Sequence, residues 1–263
     1  MKKVGIIFNE KRKPEAKKPA IEVARWLKEK KRQAYVNPSD KVLAKGLDFV
    51  LVIGGDGTIL RTADRIAKFS IPLAGVNFGH RGYLCDIEEN EIFEKLEKIL
   101  GGKFKTEERT RIYAEVKNKE KTIREIDGLN EILIGGISRT VFLEIEMTDH
   151  DKYFAAAITG DGVLFATETG STGYNVNAGG SILFADLFSV VANNAYFESE
   201  ILVPNVKSFV TSTDAIFQIK ILNDFKENLP FLAADGQRSY RLKKGDSVQI
   251  KKSKYKTIFL KVD

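Results

Sequence analysis

The chain has 263 residues, 43% hydrophobic and 30% charged, which is enough apolar material for two packed units and excludes a disordered polymer. The net charge is +6, but the lysines are spread among glutamates without interleaved aromatics, so the excess reads as a solvated surface suited to an anionic small molecule, with no nucleic acid as partner. One cysteine, Cys85, excludes an intramolecular disulfide, the two histidines, His80 and His150, make no metal cluster, and no apolar run is long enough to span a bilayer. The apolar run at 4–8 ends at Asn9-Glu10-Lys11, too short for a signal peptide, so a cytoplasmic protein without membrane association is expected.

Residues 3–8 read as a first buried strand. Pro19 stands where a helix begins, and Ala20, Val23, Ala24 and Leu27 give that helix an apolar stripe to about residue 31. Residues 34–37 form a short second strand, and 39–46 a linker with helical character. Residues 49–53, Phe-Val-Leu-Val-Ile, are apolar throughout and rich in β-branched side chains, the pattern of a strand covered on both faces of a parallel sheet.

That strand runs straight into Gly54-Gly55-Asp56-Gly57-Thr58. The glycines can take positive φ and let a ligand reach bare backbone, and Thr58 is the expected N-cap of a helix with Ile59, Ala63, Ile66 and Ala67 on its apolar face. Strand, glycine turn and helix N-terminus outline an anion site. Asp56 adds a complication, because a carboxylate beside phosphates is unfavourable unless it binds a metal or takes a proton from an attacking hydroxyl. Two readings stand side by side: Asp56 is an Asx-turn residue capping neighbouring backbone, or it is the base or metal-orienting group of a phosphoryl transfer.

Residues 71–77 read as another strand, 79–83 as a loop, and 88–100 as an amphipathic helix with Ile92, Phe93, Leu96, Ile99 and Leu100 inward. Strands alternating with helices predict a Rossmann-like open α/β domain over residues 1–106. After Gly101-Gly102 the period changes. Short β-branched runs at 112–116, 122–126, 131–134, 141–147, 153–158, 201–203, 217–222 and 248–250 predict an antiparallel, sandwich-like β-sheet domain over 107–241. Within it, 128–131, 159–162 with 167–174 and 178–181, and 234–237 concentrate glycines and small hydroxyls. Each alone is a turn; together they make a surface that can approach a ligand closely, with Tyr174 able to stack on a base.

Taken in order, Gly54-Gly55-Asp56-Gly57-Thr58, Asn77-Phe78-Gly79-His80-Arg81-Gly82-Tyr83-Leu84, Asn130-Glu131, Asp161 with Thr169-Gly170-Ser171-Thr172-Gly173-Tyr174, and Asp235-Gly236 resemble the NAD kinase family across nearly the whole chain. The glycine pentapeptide is shared with diacylglycerol and sphingosine kinases; the Asn-Glu pair and the Thr-Gly-Ser-Thr element are not. The resemblance implies a two-domain enzyme that moves the γ-phosphoryl of ATP, or in some relatives inorganic polyphosphate, to the 2′-hydroxyl of the adenosine ribose of NAD, giving NADP. By that likeness Asp56 accepts the hydroxyl proton, and Gly54, Gly55, Gly57, Thr58, His80 and Arg81 form the phosphate side. Asn130 and Glu131 hold the adenosine moiety, Asp161 the nicotinamide end, and Thr169, Thr172 and Tyr174 the adenine, with Ser171 in the same NAD-binding element and Asp235 near the reacting ribose. A homodimer or homotetramer is implied, as is a return of the last strands, about 242–263, to the first domain. Glu168, Gly173 and Ser181 depart from the family's usual Pro, Ala and Pro.

Two polyanions in one site require Mg²⁺ or another divalent cation to offset their charge, with no direct protein ligand predicted. A lipid kinase of the same superfamily would need an apolar groove that alternating strands do not offer. A non-catalytic NAD(P) sensor would have no use for a carboxylate beside the phosphates.

Overall fold

The structure, a computed structural model, describes residues 1–78, 82–136, 140–199, 206–222 and 230–262. The chain divides into one unit of residues 1–109 with 255–263 and a second of residues 110–254. In the first unit β1 (Lys3–Phe8), α1 (Lys17–Glu29), β2 (Gln33–Val36), α2 (Asp40–Leu43), β3 (Phe49–Gly54), α3 (Asp56–Ile66), β4 (Leu73–Asn77), β5 (Ile87–Glu88) and α4 (Ile92–Leu100) follow one another. The strands pair in parallel in the spatial order β2-β1-β3-β4, with Val4 opposite Phe49 and Val50 opposite Leu73. Because β1 lies between β2 and β3, the chain leaves it in one direction and β3 in the other. The C-terminal ends of β1 and β3 therefore border a switch point, where open α/β sheets receive ligands.

β3 is buried at every position, as its unbroken apolar run predicts. Phe49, Leu51 and Ile53 share a core with Ala20, Val23 and Leu27 of α1 and with Leu96 and Ile99 of α4. The alternate residues Val50 and Val52 face the opposite side. There Ile59 of α3 packs so tightly on β4 that a Cβ at Gly75 would lie 2.6 Å from its Cδ1. The expected helix at 88–100 is shorter. Glu88 and Glu91 form a reciprocal capping box around one 3-10 turn, and α4 begins at Ile92. Phe93, expected inward, is 41% exposed, since it stands at the margin of the face made by Ile92, Leu96 and Ile99; its ring lies 5.6 Å from that of Trp26.

β6 (Lys105–Asn118) leads into the second unit, followed by β7 (Lys121–Gly128), β8 (Glu131–Gly135), β9 (Val141–Asp149), β10 (Lys152–Gly160) and β11 (Gly162–Ala166). After a 3-10 turn, Thr169–Thr172, come α5 (Tyr174–Asn177), β12 (Leu187–Asn193), β13 (Phe197–Glu198), β14 (Ser208–Ser212), β15 (Ile216–Ile221), β16 (Phe231–Ala234), β17 (Arg238–Arg241) and β18 (Asp246–Lys261). One antiparallel sheet runs β14-β12-β11-β8-β16-β17; in the other, β13-β10-β9-β15 continues to the first stretch of β18. Val163, Phe165, Val190 and Leu232 of the former share a core with Leu143, Ile145, Phe217 and Ile219 of the latter, and the rings of Phe165 and Phe217 meet edge to face at 4.9 Å. The result is the sandwich that the short strands predict.

β5, β11, β12, β13, β14, β16 and β17 are strands beyond those that the sequence pattern predicts. The strand expected at 201–203 lies outside the described residues. The units divide at 109/110 and 254/255, where 106/107 and about 241/242 were expected. The reason is that β6 and β18 run unbroken through both divisions: Phe217 of β15 opposes Ile250 in the second unit, and Phe259 opposes Leu73 in the first.

Candidate active site

In the first unit the end of β3 leads directly into α3. Gly55, not Thr58, is the N-cap, with extended backbone at φ −92° and ψ −178°, and Thr58 lies inside the first helical turn. None of Gly54, Gly55 and Gly57 takes the positive φ that the sequence allowed. Their contribution is room. A Cβ on Gly54 would stand 2.8 Å from Thr58 Oγ1, whereas one on Gly55 would meet nothing within 4 Å, so the backbone there faces open space.

Asp56 is the first residue of α3, where the helix dipole favours a negative charge. Its carboxylate does not cap the helix. Instead Oδ2 accepts the N–H of Tyr83 at 2.9 Å and Oδ1 that of Leu84 at 3.1 Å, which leaves a second lone pair on each oxygen. Gly82 permits this approach, because a Cβ there would fall 2.2 Å from Asp56 Oδ1. Cys85 donates to the carbonyl of Gly54 at 3.3 Å, and burial followed by the charges of Asp56, Asp86 and Glu88 pushes its thiol up to about 12. Asn77, at the end of β4, keeps a buried side-chain oxygen without a hydrogen bond. His80 and Arg81 lie outside the described residues.

In the second unit the structure gathers Asn130, Glu131 and Asp235. Asp235 and Gly236 both have positive φ, 52° and 59°, in the turn between β16 and β17, the geometry for which Asp-Gly is suited. The Asp235 carboxylate accepts three backbone N–H groups, from Leu129 (2.8 Å), Asn130 (2.7 Å) and Glu131 (3.1 Å). From the other side the Thr167 hydroxyl donates to the carbonyl of Leu129 at 2.6 Å, and its N–H to that of Asn130 at 2.9 Å. Gly170 closes on the same segment, where a Cβ would lie 2.1 Å from the Asn130 carbonyl oxygen. The backbone of 129–131 is thus clamped.

The side chains on that clamped segment remain available. The Asn130 side-chain oxygen is buried and takes no hydrogen bond. Burial and then the charge of Asp235 push the Glu131 carboxyl up to about 7. Burial also raises Asp235, against the pull of its three N–H donors and of Arg111. Arg111 is fully buried and donates from Nε to Asp127. The sequence does not mark Arg111, Thr167 or Gly170 as site residues, and only the Thr167–Gly170 run carries a local signal.

Ser171 is buried, and its hydroxyl donates to the Glu168 carbonyl at 2.7 Å while accepting the Leu183 N–H at 3.0 Å, so its chemistry is spent on the loop. Thr169 is half-buried, Thr172 is exposed, and Tyr174 is 43% exposed with its hydroxyl accepting from Asn193 at 3.2 Å. Asp161 is exposed and accepts from Asn194 at 2.7 Å. It stands before the first residue of β11 and Thr167 after the last, so the strand separates Asp161 from the Asn130-Glu131 segment.

The family model for the ATP-NAD kinase N-terminal domain matches residues 39–104, and that for the ATP-NAD kinase C-terminal domain matches residues 129–262. The chain belongs to the NAD kinase family. Among curated relatives, an NAD kinase of Thermoanaerobacter sp. (strain X514) is 31% identical over all of this chain and 94% of its own length. The NAD kinase of Natranaerobius thermophilus is 32% identical over 85% of this chain and 76% of its own. Solved structures share the fold: an NAD kinase from Archaeoglobus fulgidus in complex with ATP (TM-score 0.73, 21% identity, 99% of this chain and 94% of that one) and yeast NADH kinase complexed with NADH (TM-score 0.79, 20% identity, 100% and 84%). Both family models fall on the segments just described, the first on the Asp56 elbow and the second on Asn130, Asp161, Tyr174 and Asp235. Among the described residues no group of three His, Cys, Asp or Glu could hold a metal, and no helix is long and apolar enough to cross a membrane.

Proposed function

We propose that the chain transfers the γ-phosphoryl of ATP to the 2′-hydroxyl of the adenosine ribose of NAD, with Asp56 taking the hydroxyl proton as the new O–P bond forms and ADP leaves. The observation that carries this is the Asp56 carboxylate itself: it is held by two N–H groups at the N-terminus of α3, retains a lone pair on each oxygen, and adjoins glycine backbone open to a ligand. A ribose hydroxyl is a poor nucleophile at neutral pH, so a positioned base matters more here than any covalent chemistry.

Asn130 and Glu131 offer a buried amide oxygen and a carboxyl titrating near neutrality on a rigid segment, suited to the donors and acceptors of an adenosine ribose. Asp161 lies one strand away, about 17 Å for the five residues of β11 at strand rise, which suits the far end of an extended dinucleotide. Asp235 serves this site by holding the 129–131 backbone. A divalent cation would arrive with the triphosphate and neutralise its charge, since the described residues offer it no cage and Asp56 is the carboxylate in the elbow. A cytoplasmic homodimer or homotetramer acting on these small molecules, without nucleic acid or membrane, completes the proposal.

The test is Asp56→Asn assayed with ATP, Mg²⁺ and NAD, the product being read by a dehydrogenase that accepts only NADP. Turnover should fall by about 10²- to 10⁴-fold, with stabilisation by NAD retained. Full activity in the variant would remove Asp56 from the chemistry.

A further inference from the structure

β6 carries its apolar side chains at Ile112, Ala114 and Val116, all buried in the core of the second unit, and Arg111, Tyr113 and Glu115 on its other face. Tyr113 and Glu115 are half-buried, but Arg111 is wholly shut off from solvent. Desolvating a guanidinium is costly, and a buried ion pair gains little stability over apolar side chains of the same size. Fold stability alone is therefore a weak reason for an arginine at this place. We propose that Arg111 is a positioning residue for the phosphoryl acceptor, bracing Asp127 and Asp235 and through them the Asn130 and Glu131 side chains. This rests on the reading of those two side chains as ligands of the NAD ribose.

Arg111 stands diagonally across from Asp127, since Tyr113 is the residue directly opposite Asp127 in the pairing of β6 with β7. Its Nε donates to Asp127 Oδ1, the Ser253 hydroxyl of β18 donates to Oδ2, and Arg238 Nη2 of β17 donates to the Asp127 carbonyl at 2.8 Å. Asp127 is thus tied to β6, β17 and β18. It is also the penultimate residue of β7, so the chain leaves this anchor through Gly128 and enters Leu129-Asn130-Glu131 at once.

The Asp235 carboxylate closes on the same passage. A Cβ on Gly128 would stand 3.0 Å from Asp235 Oδ1 and 2.9 Å from the Glu131 carbonyl oxygen, so the glycine leaves the room that the carboxylate fills. Asp235 takes its three N–H donors as charge-assisted bonds only when ionised, and burial works against that. The charge of Arg111 works for it.

One guanidinium therefore serves both carboxylates, by a hydrogen bond at Asp127 and by its field at Asp235. A planar fork with several N–H donors suits that double task, where an ammonium is a point charge. Without it Asp235 would face the Glu131 carboxyl with no neighbouring cation to offset the repulsion, and its hold on the 129–131 amides would slacken. The buried Asn130 oxygen and the Glu131 carboxyl ride on those amides.

Arg111→Met, Arg111→Lys and Asp127→Asn, each in the full chain, test this by calorimetric titration with NAD, by kinetics with ATP, Mg²⁺ and NAD, and by amide hydrogen exchange. Arg111→Met should weaken NAD binding and raise the KM for NAD by about 10- to 100-fold, the loss of a charge-assisted contact, with the KM for ATP unmoved and kcat changed by less than about threefold. The amides of 129–131 should exchange faster by a similar factor, ahead of those of β12 in the same unit. Arg111→Lys, which keeps the charge and gives up the fork, and Asp127→Asn should fall in between. Should Arg111→Met fail to fold, these two variants decide, with NAD binding about 3- to 10-fold weaker and the KM for ATP unmoved as the expected result. Wild-type NAD affinity in the folded variants would overturn the inference. So would equal losses in both KM values and kcat with exchange quickened evenly over the second unit, since Arg111 would then be a general support of the fold. Quickened exchange at 129–131 in the variants of a protein that neither binds NAD nor forms NADP would leave the brace standing and refute the acceptor reading.

Discussion

Replacing Glu131 by glutamine isolates one titration and gives it a sign. In the folded chain the Glu131 carboxyl titrates near 7, through burial first and Asp235 second, against 4.5 for the free side chain. Between these values the folded state holds a proton that the unfolded state has released. The group's contribution is therefore fully present below about pH 4.5 and is lost as pH rises through about 7. The difference corresponds to a loss on the order of 3 kcal/mol between pH 4.5 and 8. A glutamine at this position keeps the shape and the hydrogen-bonding capacity but cannot ionise, so the Glu131→Gln variant should lack this component.

The assay is urea unfolding of both proteins from pH 5 to 8.5, followed by near-ultraviolet circular dichroism of tyrosines, because the single Trp, Trp26, reports on the first unit. The variant should gain on the wild type by about 2.5 kcal/mol across that range, most of it between pH 5 and 7. Parallel pH profiles for the two proteins would refute the argument, because they would mean that Glu131 ionises in the folded chain as it does in water.

Gly82→Ala should push the Asp56 carboxylate from its place and lower kcat by about 100-fold, the order expected for an ångström of misplacement, with the circular dichroism spectrum unchanged. Gly170→Ala sets a methyl against the Asn130 carbonyl, and should cost about 2 kcal/mol or more in unfolding free energy and weaken NAD binding measured by calorimetry. Cys85 should react with a thiol reagent at pH 8 at least about 100-fold more slowly in the native protein than in urea, since the thiolate is suppressed by burial and by three neighbouring carboxylates.

What could be read in advance follows from how local each signal is. The Phe49–Gly54 strand and its elbow were legible because the apolar run, the glycines and Asp56 are contiguous. The helix starts earlier than Thr58 suggests because Gly55 with extended backbone serves as N-cap and Asp56 suits the first turn, which makes Thr58 unnecessary for that task. β11 escapes a pattern reading because all five of its residues are buried, so no alternation marks it, and it sits amid glycines and threonines that read as loop. The ordered motifs point to Asn130, Glu131 and Asp235, but nothing local could reveal that Asp235 clamps a backbone 105 residues away. Arg111 is buried midway along β6, a strand of ordinary alternation, and carries no mark of its role.

β18 has a consequence for biosynthesis. Its last stretch, with Phe259 and Leu260 almost wholly buried, lies beside β4 in a unit whose remaining residues all precede position 110. During translation the first hundred residues emerge early, with β3 and β5 beside β4 but without the strand that pairs with its Leu73 end, and some 150 further residues must be polymerised before that partner leaves the ribosome. The nascent first unit should wait as an unfinished sheet with an unpaired edge, and this interval is when a chaperone would have most to protect.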